Sequence, residues 1–546
     1  MERYNFWLKN APVEIVEKIK NFSDEQKQLY FSKDIAFGTA GLRGRILWGT
    51  NSINDYTIAK ATYSFGHWLI DTYSNAAIKF GVVIAHDNRR FGVHYSLIAA
   101  SVLAAMHIPV FLFKDNQPCP TPLLSYTVVE NNFVGGINIT ASHNPPTDNG
   151  FKIYDALGKQ LANKETEKVQ EISNSVENIF KIPHLENKEQ YLDESYFDDY
   201  LNRIKKEIPF EKIPTKKDLK VIFNANNGTA AKFAKPLLDF SRVEYEFVKE
   251  QEYPDENFTN TPYPNPQDIE SYELAKVYGD KNKADLIFST DPDADRFGLM
   301  VKHQGAWKDF TGNQLPLIQI KYKLEQLTKR GLAEGNEYIV RSIVTSHAGD
   351  KIAKQYGVKT FEAYTGFKNL MYVVDKQTAK GKQCAFAWEE SYGSTVMPFT
   401  KDKDSFQALV QVLELIDYYK RQGKTLFDVL NDIFGEINFF LMEANPKRFT
   451  GVNAMKEMEQ IINHYRNNLK IGDDINGHRI TEIRDYKMGY KKWPTDNTII
   501  IFFDNKDFVA IRPSGTEPLL RMYFDVQEKD KKTAIKTKKE LLAYFS

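Results

Sequence analysis

The sequence predicts an α/β protein of several domains whose last portion is α+β. Three observations carry this. Short apolar runs end again and again in polar loops containing Gly, Asn or Pro, and helical periodicity follows many of them. The carboxyl-terminal part instead shows hairpin-spaced strands closed by a Lys-rich helix. A chain of 546 residues also asks for about three to five domains of roughly 100–200 residues each.

In chain order, Gly81 to Ala85 (G-V-V-I-A) reads as a buried strand and His86 to Arg90 as the loop after it. Phe91 to Met106 carries apolar residues at helical spacing and Ile108 to Phe113 is the next strand, completing a βαβ unit. Leu219 to Phe223, Asp285 to Ser289, Tyr338 to Ile343 and Gln383 to Ala387 repeat the theme, which favours parallel or mixed sheets covered by helices. Lys205 to Lys217 holds Pro209, Pro214 and many charges and reads as a linker or domain edge. Pro254, Pro262, Pro264 and Pro266 mark Gln251 to Gln267 as a long loop inside the second domain. Asn497 to Phe503 and Phe508 to Ile511 are hairpin strands around Asp504 to Asp507, and Leu519 to Val526 is a third run.

Composition narrows the function classes. Lys plus Arg number 72 and Asp plus Glu 72, so the formal charge is zero, which argues against a surface built mainly for nucleic acid. Met1 to Asn10 shows no long apolar stretch of a secretory leader. No run reaches the ~18 apolar residues of a membrane span, and Ser101 to Phe113 is too short. Cys119 and Cys384 stand alone, which leaves neither a disulfide framework nor a thiolate zinc site. The expectation is a cytoplasmic protein with no membrane and no nucleic-acid partner.

Four loops carry chemistry. Thr140-Ala141-Ser142-His143-Asn144-Pro145-Pro146 follows the strand-like Gly136 to Ile139 and presents a serine at a strand end. As an isolated string it reads equally as a Ser or Asx turn, and the hydrolase elbow G-x-S-x-G is absent. Asp291-Pro292-Asp293-Ala294-Asp295-Arg296 places three carboxylates at alternate positions between two apolar runs, Phe288 to Thr290 and Phe297 to Val301. Such a trio is costly to bury unless a hard cation meets it, and Mg²⁺ with an added phosphate oxygen suits three open carboxylates. An EF-hand is excluded, because its sixth and twelfth positions are Arg296 and Lys302 rather than Gly and Glu. Trp388-Glu389-Glu390-Ser391-Tyr392-Gly393 offers acids and a hydroxyl suited to a polyol, though alone it reads as a surface turn. Arg512-Pro513-Ser514-Gly515-Thr516-Glu517-Pro518, with Arg521 beyond, makes a compact phosphate cradle. Upstream, Phe37-Gly38-Thr39-Ala40-Gly41-Leu42-Arg43-Gly44 spaces its glycines G-x-x-G-x-x-G, unlike the dinucleotide fingerprint. The P-loop fails as well, since Tyr418 stands where its first Gly belongs before Gly423-Lys424-Thr425.

Taken together and in this order, the five segments resemble the α-D-phosphohexomutase family, whose members move a phosphate between C1 and C6 of a sugar. The chain is most similar to the longer phosphoglucomutase/phosphopentomutase branch, and the likeness runs from Phe37 to Arg521. The resemblance implies a heart-shaped arrangement of four domains, three related α/β units and a last, TATA-binding-protein-like α+β domain. Placed on this sequence, the domains run 1–205, 206–313, 314–430 and 431–546.

Residue by residue, the resemblance implies that Ser142 is the phosphoserine and that Asp291, Asp293 and Asp295, with the phosphorylated Ser142, hold Mg²⁺. Glu389 and Ser391 match the pair that grips sugar hydroxyls, Thr365 and Gly366 belong to the loop that helps choose the sugar, and Arg296 follows the metal loop. Arg512, Ser514, Gly515, Thr516 and Arg521 match the site for the non-reacting phosphate. Arg43 and His143 match positions beside the transferred group, and Lys403 the acid/base lysine, with Lys401 its nearest confusion. Two departures stand out: Trp388 replaces a usual Gly, and His86-Asp87-Asn88 a usual Tyr-Asp-Ser.

The implied activity is an isomerase interconverting hexose 1-phosphate and 6-phosphate through a 1,6-bisphosphosugar. Glucose is the preferred sugar, glucose 1,6-bisphosphate the activator, and a monomer or weak homo-oligomer the expected state. Phosphomannomutase and phosphopentomutase are the alternatives within the class. A non-catalytic sugar-phosphate binder and a phosphatase using the same metal are the alternatives outside it.

Overall fold

The computed structural model describes residues 1–38, 41–212, 214–450, 453–491, 493, 495–514 and 518–545. They divide into two compact units, residues 1–312 with 366–418 and residues 313–365 with 419–546.

The first unit opens with three short helices, Glu2–Asn10, Val13–Ile19 and Asp24–Phe31, which bury Trp7, Ile19 and Phe31. Its first sheet contains β1 (Leu42–Arg45), β2 (Val82–His86), β3 (Val110–Leu112), β4 (Gly135–Ile139), β5 (Asp148–Asp155) and β6 (Gln190–Tyr191). The order across the sheet is β1-β5-β4-β2-β3-β6. β2 is parallel to β3 and to β4, while β4 and β1 run antiparallel to β5. The βαβ unit read from residues 81–113 is present, with helix Gly92–Ala105 joining β2 to β3. Every residue of β2 and β4 is buried, as expected of strands covered on both faces. Ile84, Leu103 and Ile137 meet Phe65 and Leu69 of the long helix Asp55–Tyr73 in the core.

Strand order reverses at β2, because the connection from β2 goes to β3 on one side and the parallel β4 lies on the other. Loops at such a switch point open a crevice at the carboxyl ends of the strands. His86 to Arg90 and Thr140 to Pro146 emerge side by side there.

The second sheet repeats the device with β7 (Lys220–Asn224), β8 (Glu244–Phe247), β9 (Leu286–Thr290), β10 (Phe297–His303) and β11 (Ala306–Phe310), in the order β11-β10-β9-β7-β8. β7 is parallel to β8 and β9, and β9 and β10 form an antiparallel pair whose connection is the acidic loop 291–296. Strands Gln383–Glu389 and Gly393–Thr395 pair antiparallel at the end of this unit.

The stretch read as a linker or domain edge starts inside a helix: Ser195–Glu207 runs through Lys205, and irregular chain follows at residues 208–212 and 214–219. Tyr200, Leu201 and Ile204 are buried on one face, and Lys205 and Lys206 sit in the last turn, where cations suit the helix dipole. Glu211, Lys212, Lys216 and Lys217 lie beyond the helix, in the irregular chain.

In the second unit, strand Glu337–Ser342 is parallel to Lys359–Ala363, beside helices Gln314–Lys329, Ala348–Gln355 and Leu426–Ile437. Its carboxyl-terminal sheet runs Phe439–Arg448, Leu519–Glu528, Phe508–Pro513, Ile499–Phe503, His478–Asp485 and Asp474–Ile475, all neighbours antiparallel. Ile501, Val509, Leu520 and Val526 pack with Ile462 of helix Ala454–Asn468 and Leu541 of helix Lys531–Phe545. This is the α+β arrangement read from the sequence, down to the 504–507 hairpin and the closing Lys-rich helix. Among the described residues no helix is long and apolar enough to cross a membrane.

Candidate active site

Ser142 stands at the end of β4 with a backbone φ of 51°, a left-handed conformation uncommon for a side-chain-bearing residue. Its N–H donates to Thr140 Oγ1 at 2.8 Å, and its hydroxyl donates to Asp291 Oδ2 at 2.6 Å. Serine and acidic loop are separated by 149 positions in sequence and touch in the fold. His143 Nδ1 lies 3.2 Å from Ser142 Oγ. Burial and the neighbouring Arg296 and Arg43 guanidiniums hold the His143 imidazole well below its ordinary pKa, so the ring is neutral.

Asp291, Asp293 and Asp295 are all buried, and one oxygen from each lies within 4.8 Å of the others. The loop wraps on itself, as Asp295 and Arg296 N–H groups donate to Asp291 Oδ1 at 3.1 and 3.0 Å and Ala294 turns with φ 54°. Neighbouring elements pin it. Thr121 donates from N–H to Asp293 O at 2.9 Å and from its hydroxyl to Asp293 Oδ2 at 2.8 Å, and Ser405 Oγ donates to Ala294 O at 2.6 Å.

The arrangement fits a divalent cation. Asp293 Oδ1 and Asp295 Oδ1 are buried without a hydrogen-bond partner, and the donor set is all oxygen. Burial, then the charges of Asp295 and Asp293, push Asp291 well above the usual carboxylate range. That electrostatic strain is what a cation among the three would relieve.

Lysine and arginine side chains surround the acids. Lys152 of β5, which the sequence reading missed, is 1% exposed and reaches Asp293 Oδ2 at 2.7 Å and Asp295 Oδ2 at 3.4 Å. Burial alone would lower its pKa, but the two carboxylates outweigh that and hold it raised. Its signal is a lone lysine between Phe151 and Ile153 in a strand just after the serine loop, since lysines are rarely buried unless paired.

Lys403 Nζ lies 3.0 Å from both Asp295 Oδ2 and Asp402 Oδ1. Burial opposes its charge, and Asp295 and Asp402 overcome it and raise the pKa, so Lys403 stands as an ammonium. Asp402 is itself held by Tyr154 OH at 3.0 Å and Gln160 Nε2 at 2.8 Å. Lys401 turns elsewhere, to Asp375 at 2.9 Å, which separates the two lysines. Arg43 and Arg296 each bury an Nε without a hydrogen-bond partner, and burial followed by repulsion from Arg296 lowers the pKa of Arg43. Two guanidiniums in one crevice, with donors to spare, suit an anion.

Glu389 ends its strand buried, and its Oε1 accepts from the Gly366 N–H at 2.6 Å. Burial and the nearby Glu390 push its carboxyl up to about 7. Ser391 follows, half-buried, in the turn before Gly393. A side chain at Gly393 would place its Cβ 2.1 Å from Lys403 Cδ, so this backbone lies flat against the lysine stem. Trp388 is 1% exposed, its indole enclosed in the strand layer.

Thr365 belongs to the second unit and Gly366, the next residue, to the first. In the second unit Arg512 and Arg521 are direct cross-strand partners, half-buried and exposed respectively. Ser514 N–H donates to Leu519 O at 2.8 Å and closes the loop. Gly515 and Thr516 lie outside the described residues.

A buried cluster of serine, aspartates and cations at the carboxyl ends of repeated α/β strands is the build of a phosphoryl-transfer enzyme. The chain belongs to the phosphoglucomutase/phosphomannomutase family, a family of isomerases: models of its α/β/α domains I, II and III match residues 34–179, 198–305 and 311–437, and that of its C-terminal domain 436–539. A phosphomannomutase of Mycoplasma pneumoniae is 32% identical over 531 residues, covering 95% of this chain and 93% of its own. A phosphoglucomutase of Staphylococcus aureus is 32% identical over 540 residues, covering 95% of each. Among solved structures, a phosphoglucomutase/phosphomannomutase family protein from Burkholderia thailandensis aligns with a TM-score of 0.69 at 17% identity, over 93% of this chain and 96% of its own.

Proposed function

We propose that the chain interconverts hexose 1-phosphate and hexose 6-phosphate, with glucose as the preferred sugar, by passing a phosphoryl group through Ser142. The observation that carries this reading is the 2.6 Å contact between Ser142 Oγ and Asp291 Oδ2 inside a buried trio of aspartates. The contact puts the oxygen that would carry the phosphoryl group directly beside the carboxylates that would hold the cation.

In the reaction, the substrate's free hydroxyl attacks phosphorus on phosphorylated Ser142, the bond from phosphorus to Ser142 Oγ breaks, and a 1,6-bisphosphosugar results. After the sugar turns over, Ser142 Oγ attacks the other phosphorus, the bond from that phosphorus to the sugar oxygen breaks, and the isomeric monophosphate leaves with a free hydroxyl there. Asp291, Asp293 and Asp295 would hold Mg²⁺, which supplies Lewis-acid stabilisation of the phosphoryl oxygens. In the step that rephosphorylates Ser142, neutral His143, 3.2 Å from Ser142 Oγ, takes the serine proton. Lys403, held as an ammonium, gives a proton to the sugar oxygen that departs in that step, and the first transfer runs the same proton movements in reverse. Arg43 and Arg296 bind the transferring phosphoryl oxygens. Glu389, with Ser391, Thr365 and Gly366, reads the sugar hydroxyls, and Arg512, Ser514, Gly515, Thr516 and Arg521 hold the phosphate that stays. Glucose 1,6-bisphosphate serves as activator by rephosphorylating Ser142.

The relatives carry both the phosphoglucomutase and the phosphomannomutase name, which keeps mannose as the second reading. Comparing turnover efficiency on glucose, mannose and ribose 1-phosphates decides between them. The carrier itself is tested by Ser142→Ala. We expect loss of activity by at least about 10³-fold in a coupled glucose 1-phosphate assay with the fold intact by circular dichroism. Retention of most turnover would refute the phosphoserine role, and release of free phosphate in place of isomer would make the protein a phosphatase.

A further inference from the structure

The His86 to Arg90 loop and the proline-bearing Gln251 to Gln267 loop take no part in the reaction drawn above, yet they meet directly beneath Ser142. Arg89 is 3% exposed, and its guanidinium is spent almost wholly on the serine loop. Nη2 donates to the carbonyl oxygens of Ser142 and Asn144, the latter at 2.6 Å. Nη1 donates to those of Pro145 at 2.8 Å and Asp148 at 3.1 Å. Nε turns back to Asp87 Oδ2 at 3.1 Å, which supplies the buried counter-charge. Asp87 Oδ2 also accepts from Thr140 Oγ1 at 2.6 Å, and Thr140 Oγ1 accepts the Ser142 N–H. The peptide groups on both sides of the serine are therefore tied to one buried ion pair.

The second domain seals the other face. The Phe258 ring lies 5.1 Å from the Arg89 guanidinium, Asn88 Nδ2 donates to Asp255 O at 2.8 Å, and Arg90 Nε donates to Asn257 Oδ1 at 3.0 Å. A guanidinium in this position is rigid, desolvated and forked, which a lysine ammonium cannot imitate.

We infer that Arg89 is a positioning residue for phosphoryl transfer: with Asp87 and Thr140 it clamps Ser142 in its left-handed conformation, facing the metal loop. Arg89 touches no reacting atom. It acts through four carbonyl groups, and a clamp is what φ 51° at a serine needs, because that conformation relaxes once the surrounding bonds are lost. Displacing the carrier by about 1 Å costs roughly 10²-fold in rate while leaving the sugar's own contacts in place. The inference rests on Ser142 being the carrier.

The test uses the full chain and two variants, Arg89→Lys and Thr140→Val, with Ser142→Ala alongside. Each is incubated with glucose 1,6-bisphosphate and the phosphorylated fraction is counted by intact mass, so that rates are expressed per phosphorylated molecule. We expect Arg89→Lys to lower kcat about 100-fold with KM within about threefold, and Thr140→Val to lower kcat about tenfold with the same split. Activity that falls only in proportion to the folded, phosphorylatable fraction would reduce Arg89 to a structural ion pair and overturn the inference. So would wild-type kcat in either variant. Should Arg89→Lys not fold, the neutral Thr140→Val decides alone. A fully active Ser142→Ala would instead overturn the carrier assignment, which keeps the two failures apart.

Discussion

With Glu389 in the proposed sugar-reading role, one side chain couples substrate recognition to pH. Its carboxyl is buried, tied to the Gly366 N–H, and pushed up to about 7 by burial and Glu390. Below that value it is neutral and a weak acceptor; above it, the carboxylate grips hydroxyl donors with charge-assisted bonds. KM for the sugar phosphate should therefore fall as pH rises from about 6 to 8, and Glu389→Gln should flatten that dependence while raising KM at pH 8. Parallel KM profiles for the two proteins would remove Glu389 from the sugar site. At this scale the sequence was legible where clustered residues sit in contiguous strings: Ser142 and the aspartate trio were read from two such strings, and the fold brings them together. Lys152 and Arg89 were not, because their partners lie 141 and 53 positions away and only the fold brings them together. Lys403 was legible as a residue, but its charge state depends on Asp295, which belongs to another loop.

The carboxyl-terminal hairpin carries an element-level test. Asp507 closes the turn after strand Ile499–Phe503, accepting from Asn505 Nδ2 and from the Gln527 N–H, both at 2.6 Å. Burial pushes its carboxyl up to about 7. A carboxyl raised on folding favours the neutral form, so this contribution to stability is complete below the unfolded value near 3.8 and is lost as pH rises through about 7. The thermal midpoint of the wild type should drop a few degrees more between pH 5 and 8 than that of Asp507→Asn. Superimposable profiles would show that the turn holds its charge without cost. The hairpin itself was readable from strand spacing, as were the parallel strands of both α/β sheets, since buried strands write themselves as short apolar runs. The helix through Lys205 was not, because its apolar face is only three buried residues wide and its charged last turn imitates a linker.

On the scale of the whole molecule, folding assembles the acidic trio and leaves Asp291 strained before any ligand arrives, although Lys152 and Lys403 offset Asp293 and Asp295. A cation binding only the folded chain stabilises it by mass action, about 2.7 kcal/mol at a hundredfold excess over Kd. Millimolar Mg²⁺ should raise the melting temperature by a few degrees, and Asp293→Asn should blunt the rise. An equal rise in the variant would move the ion elsewhere. The chain's zero formal charge leaves no general field to draw cations in, so the effect should belong to that one locus. A different kind of consequence attaches to Gly393, whose backbone lies against the stem of Lys403. Adding a single methyl group there would collide with the Lys403 stem, and with Lys403 in its proposed role Gly393→Ala should lower kcat in the coupled assay while every polar group of the site is retained. A variant survey that scored positions by their chemical functionality would pass over that codon, although it should tolerate less change than many of its charged neighbours.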